Sequence, residues 1–112
     1  MSNANLLAEV LAELRMHDRL NKADGVDLTP HAAGLERLKA WAGDAFEEMR
    51  EEFTAETSGT SSAEFVECLQ NLFEMYLDPA QEISKACPGA DDRTRARIHT
   101  ELEAHVARLA LG

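Results

Sequence analysis

The stretch Phe65 to Leu77, FVECLQNLFEMYL, decides the fold. Nine of its thirteen residues are apolar: Phe65, Val66, Cys68, Leu69, Leu72, Phe73, Met75, Tyr76 and Leu77. A surface helix of a small domain carries one apolar stripe with polar residues opposite. Here only a narrow polar strip remains, made of Glu64, Glu67 and Asn71 with Gln70 and Glu74 beside it. Such a helix needs cover on two or three sides. It is expected to be the central, most buried helix of a bundle, or to meet another chain.

The flanks of this helix define its ends. Upstream, Thr57-Ser58-Gly59-Thr60-Ser61-Ser62 reads as a linker, and Ser61 with Glu64 fits the S-x-x-E capping box. Downstream, Asp78-Pro79-Ala80-Gln81 reads as a fresh start, with Asp as cap, Pro at the first helical position and Gln81 reaching back. The helix is expected to kink there and continue as a short helix to Cys87, ended by Pro88-Gly89.

The remaining periodicity is helical too, and no run of Val, Ile and Thr alternates as a strand would. A first helix spans about Ala4 to Lys22, with Leu6, Leu7, Val10, Leu11 and Leu14 on one stripe. Met16 and Leu20 fall on another side, and Gly25 supplies a stop. A second helix starts at Thr29-Pro30, read as a side-chain cap followed by proline. Leu35, Leu38, Ala42, Ala45 or Phe46, Met49 and Phe53 follow at steps of three and four. Gly34 and Gly43 weaken this seam by roughly 1 kcal/mol each relative to Ala. They serve either close approach of a neighbour or no purpose. A last helix begins at Asp91 or Asp92, with Ile98, Leu102, Val106 and Leu109 as its stripe.

The 112 residues therefore make one all-α domain, a small bundle of four main helices plus one short helix. Linkers fall near 23–28, 57–61 and 88–91. The net charge of −10 disfavours direct nucleic-acid binding, which rests on Lys and Arg neutralising phosphates. It equally disfavours docking on an anionic membrane. No segment approaches the roughly 18 apolar residues of a membrane span. The first residues lack the basic start and unbroken apolar run of a signal peptide. Cys68 and Cys87 form no CxxC pair and read as reduced thiols of a cytoplasmic protein.

Catalytic chemistry finds little support. His17, His31, His99 and His105 form no HExxH or paired ExxH motif, although Glu101 with His105, and His99 with Glu103, are each four apart and could share a helix face. Ser61 and Ser62 are explained by capping, and no glycine-rich loop follows a strand to cradle phosphate. No cofactor or metal is expected, and no enzyme. Asp44, Glu47, Glu48, Glu51, Glu52 and Glu56 give the second helix an acidic face with Arg50 alone among them. Such a face is either simply solvated or suited to a basic partner, in the strong form as a nucleic-acid mimic. Arg93, Arg95 and Arg97 crowd the first turns of the last helix, where the dipole disfavours cations. They are exposed, or they bridge to the acidic face of the second helix.

Trp41-Ala42-Gly43 is similar to the W-x-G signature of the small helical proteins exported by type VII secretion, where the motif sits at a turn. Here the seam from Leu38 to Met49 runs straight through it. The family's Y-x-x-x-[DE] signal fails, since Ala80 stands four residues after Tyr76. In length, acidity and all-helical layout the chain resembles small antiactivators that sequester LuxR-type quorum-sensing transcription factors. That resemblance is one of overall type, and it implies a transcription factor as partner.

The expected function is a non-enzymatic regulatory protein that binds and inhibits a protein partner. An antitoxin or immunity-type inhibitor, an acidic nucleic-acid mimic and a W-x-G-type export protein are the alternatives. A homodimer is expected, because the apolar residues outnumber what one small bundle can hide. Exposed members of Phe65, Leu69, Leu72, Phe73 and Tyr76 are expected to anchor the partner. Trp41, Glu47, Glu48, Glu51 and Glu52 are expected to serve the dimer contact or steering.

Overall fold

The computed structural model describes residues 3–20, 25–57 and 59–112. Five helices follow one another: α1 (Asn3–Leu20), α2 (Ala32–Thr57), α3 (Ser62–Tyr76), α4 (Pro79–Ala86) and α5 (Asp92–Leu111). A single 3-10 turn, Thr29–His31, precedes α2, and no strand occurs among the described residues. The fold is all-α, four main helices plus a short one. The expected end of the first helix at Lys22 and part of the linkers near 23–28 and 57–61 lie outside the described residues.

The helices close a ring. α1 packs on α5 and α3, and α2 packs on α5 and α3, so each main helix has two neighbours. Across the diagonal α3 and α5 touch sparingly. The short α4 lies on α2 and α5. The central element is therefore α5, which meets all four other helices, and not α3 as its composition suggests. The apolar excess of α3 is used differently. Phe65, Val66, Leu69, Leu72 and Phe73 fill the core, while Met75 and Tyr76 stay outside.

Local chemistry sets the boundaries. The Ser61 hydroxyl accepts from Glu64 N at 3.3 Å and donates to Glu64 Oε1 at 3.2 Å. This satisfies one of the orphan N–H groups at the start of α3. Asp78 Oδ1 accepts from Gln81 N at 3.3 Å, and Asp91 Oδ1 from Thr94 N at 2.8 Å. Between α3 and α4 the chain does not kink; it breaks. Leu77 is extended, with φ −124° and ψ 155°, which interrupts the helical hydrogen bonds before Pro79. Cys87-Pro88-Gly89-Ala90 has the pattern of a type II turn: Ala90 N donates to Cys87 O at 3.2 Å and Gly89 takes φ +88°. Thr29 does not cap α2. Its own N–H is the donor, to Asp27 Oδ1 at 3.0 Å, so Asp27 makes the turn that leads into Pro30.

The two helical glycines of α2 separate. A Cβ on Gly34 would stand 2.4 Å from Ala86 O and 2.7 Å from Cys87 Sγ, so only glycine admits the end of α4. A Cβ on Gly43 would meet Leu109 at an ordinary 3.6 Å. Gly34 is a packing requirement and Gly43 is not.

The core joins Val10 and Leu14 of α1, Leu38, Ala42, Phe46 and Phe53 of α2, five residues of α3, Ile83 of α4, and Ile98, Leu102, Val106 and Ala107 of α5. Large apolar side chains remain exposed at Met16, Leu20, Met75, Tyr76 and Leu109. The ring of four helices hides most of the apolar composition, and these five side chains stay outside it. No helix among the described residues is long and apolar enough to cross a membrane.

Candidate functional site

The expected anchors sort into two groups. Phe65, Leu69 and Phe73 are at most 1% exposed and Leu72 is 5% exposed. They are core residues, because α1, α2 and α5 close over that side of α3. Phe65 stands edge-to-face on Phe53 at 5.3 Å, and Phe53 on Phe46 at 5.6 Å. These four residues do not offer a surface. Tyr76 does, at 62% exposure, and Met75 beside it at 73%.

Met75 and Tyr76 form one wall of a groove between α2 and α3, with a volume of about 260 Å³. Its floor is built from Phe53 and Leu72, which the core holds in place, with Met49 and Cys68 half-buried above them. Glu52 and Glu56 of α2 and Asn71 of α3 form the rim. The helical repeat explains this set. Met49, Glu52, Phe53 and Glu56 follow at three- and four-residue steps along one face of α2. Cys68, Asn71, Leu72 and Met75 do the same on α3. Burial pushes the Cys68 thiol up, and the carboxylates of Glu56, Glu67 and Glu64 add to the shift. The groove therefore holds a neutral thiol and not a nucleophilic thiolate. Cys87 is likewise a free, buried thiol pushed up by burial.

The steering residues also divide. Arg50 binds Glu47 with two contacts, of 2.6 and 3.1 Å, and its guanidinium lies 5.1 Å from the centre of the Phe46 ring. The hydrogen bond from Arg50 lowers the Glu47 carboxyl below its ordinary range. Glu48, Glu51 and Glu52 are exposed, and of these Glu52 reaches the groove. Glu56, absent from the expected set, is the second carboxylate there. Trp41 lies within α2, half-buried beside Glu82, Lys85 and Ala86 of α4. Trp41-Ala42-Gly43 is thus mid-helix and makes no turn.

Arg95 and Arg97 of α5 find partners other than the acidic face of α2. Arg95 binds Asp92 on its own helix at 2.6 Å. Arg97 crosses to α1, where Nη1 meets Asp18 Oδ2 at 2.5 Å, and it holds Glu101 at 3.1 Å. Asp18 is 1% exposed. It stands four residues after Leu14 and eight after Val10, on the apolar stripe of α1, and that spacing was the available signal for its burial.

A second, polar cleft of about 530 Å³ opens where α1, α3 and α5 meet. His17 Nδ1 and Gln70 Nε2 lie 3.1 Å apart at one side of it. His99 Nδ1 and Glu103 Oε1 lie 2.8 Å apart at the other, with Phe73 tilted against the imidazole at 5.7 Å. Burial depresses the His99 pKa, but the hydrogen bond to Glu103 and the charges of Glu103 and Glu74 outweigh it and raise it above the ordinary value. Among the described residues no group of three His, Cys, Asp or Glu could hold a metal ion.

No protein-family model matches the chain, and no significant match was found among curated proteins or solved structures.

Proposed function

We propose that the chain is a non-enzymatic regulatory protein that binds and inhibits a protein partner, and that the α2/α3 groove is its contact. The observation that carries this reading is the pairing of Met75 and Tyr76, both well exposed, with the acidic rim of Glu52 and Glu56. Methionine surfaces adapt to varied apolar partners, and tyrosine is a frequent interface anchor. The carboxylates select a partner that is basic around an apolar ridge, the pattern of a basic amphipathic helix. Transcription factors carry such helices beside their DNA-binding surfaces, which agrees with an antiactivator role. No direct contact with nucleic acid or membrane is part of this reading, and neither is a cofactor.

The test is capture of the partner from native cell extract with tagged wild-type protein and with Met75→Ser and Tyr76→Ser variants of unchanged helicity and melting. Tyr76→Ser is expected to cost about 2 kcal/mol of affinity for an anchor residue. Glu52→Gln with Glu56→Gln is expected to slow association and reduce its salt dependence. A partner retained equally by both serine variants, and lost on neutralising Glu47, Glu48, Glu51 and Glu52, would replace this reading with the nucleic-acid mimic.

A further inference from the structure

We propose that the outer face of α2 around Gly43 docks a second copy of this chain, with the two α2 helices antiparallel about a two-fold axis at Gly43. This face does not depend on the α2/α3 groove. At 3.6 residues per turn, Glu52 of the groove lies roughly 160° round the helix from Glu36, so both faces can be occupied at once. Glu36, Ala40, Gly43, Glu47 and Arg50 fall on one stripe about 80° wide, and Lys39 adjoins it. All of these except Gly43 and Lys39 are exposed. Nothing inside the chain requires Gly43. A Cβ there would meet Leu109 at 3.6 Å and His105 Nε2 at 3.9 Å, both ordinary contacts. A glycine inside a helix costs stability but lets another backbone approach closely. Ala40 lies one turn earlier, and the exposed apolar side chain of Leu109 borders the crossing point.

The charges identify the occupant. A two-fold axis at Gly43 sets each residue opposite the one equally far along on the other side. Lys39 then faces Glu47 of the second copy, and Glu36 faces its Arg50. Within one chain Lys39 already stands 4.0 Å from Glu36, and Arg50 stands 2.6 Å from Glu47. Docking joins these pairs into a ring of four charges of alternating sign, formed twice by symmetry. A single surface pair contributes little, whereas a network contributes more. The pattern is complementary to itself, which a foreign surface would not require. The chain carries a net charge of −10, yet these four charges cancel, so two acidic copies can meet here. Burial, with the charges of Lys39 and Arg108, holds His105 below its ordinary value, so it adds no charge beside the crossing point at neutral pH. Asp44 is exposed at the edge of the stripe and stays in water.

Sedimentation of the whole protein tests this at physiological salt, which screens the long-range repulsion between two acidic chains. A monomer–dimer equilibrium is expected between micromolar and millimolar concentration. Two double variants then probe the ring. Lys39→Glu with Arg50→Glu makes all four charges negative, and Glu36→Lys with Glu47→Lys makes them all positive. These side chains all reach solvent, so each variant is expected to keep wild-type helicity. Each alone should dimerise roughly tenfold more weakly or worse, because like charges now face each other. Mixing the two in equal amounts should restore a dimer, since every facing pair is then of opposite sign. Both variants keep a net negative charge, so overall attraction cannot produce that rescue. A wild-type chain that stays monomeric at millimolar concentration would overturn the proposal and leave the face to solvent. So would a dimer that both variants leave unchanged, or variants that stay monomeric when mixed.

Discussion

The two flanks of α3 use burial in opposite ways. Toward α2 the contact is apolar, with Phe46, Phe53 and Phe65 standing edge-to-face in series. Toward α1 and α5 it is polar, with Gln70 beside His17, and His99 on Glu103 behind Phe73. The same helix thus contributes transfer free energy on one side and directional bonds on the other. The apolar flank is tolerant of hydrophobic exchange of similar volume. The polar flank is not, because removing one member of a buried pair such as His99 and Glu103 leaves the other without its partner.

The largest effect is expected on the apolar flank. Phe65→Ala should destabilise by about 3–5 kcal/mol, the range for truncating a buried aromatic. Chemical denaturation measures it, and a loss below about 1 kcal/mol would mean that the aromatic series is not a packed unit.

Next comes the ion pair that ties α1 to α5. Asp18→Ala should cost about 1–3 kcal/mol, since Arg97 keeps Glu101 but loses its buried acceptor. Changing both partners, Asp18→Leu with Arg97→Met, should restore most of that loss, because well-packed apolar pairs commonly match buried ionic ones. If the double change costs as much as the two single ones added, Asp18 and Arg97 are not coupled, and the flanks differ less than their contacts suggest.

The smallest effect is the pH response of His99. Its pKa is raised in the fold, so its stabilisation is fully present below the unfolded value of about 6.5. It is lost as pH rises through the folded value. Melting between pH 5.5 and 8.5 should therefore fall more in wild type than in His99→Gln. Parallel curves for the two proteins would show that the pair contributes nothing.

The contrast also explains what could be read from the residues alone. Helical class, the five segments and most core positions follow from apolar spacing, as with Leu38, Ala42, Phe46 and Phe53 on α2. The Ser61, Asp78 and Asp91 caps follow from local hydrogen-bond chemistry. Asp18 and Glu103 escaped because a charged residue on an apolar stripe is normally discounted, and its partner lies 79 residues away in the case of Asp18. The centrality of α5 was hidden likewise, since its buried face mixes Glu103, Ala104 and Ala107 with Ile98, Leu102 and Val106. Of the expected anchors, Tyr76 alone lies open. Spacing tells that Phe65 and Tyr76 are apolar, but only the closing of the ring decides which of them water reaches.

The seam between α1 and α5 joins two helices that stand far apart in the sequence. During synthesis on the ribosome, α1 emerges well before α5. Until α5 is released, Asp18 lacks its counter-ion and Val10 and Leu14 lack part of their cover. Closure of this bundle therefore waits until α5 has been synthesised, and a nascent chain stalled before Ile98 would hold α1 as an unclosed, chaperone-accessible segment.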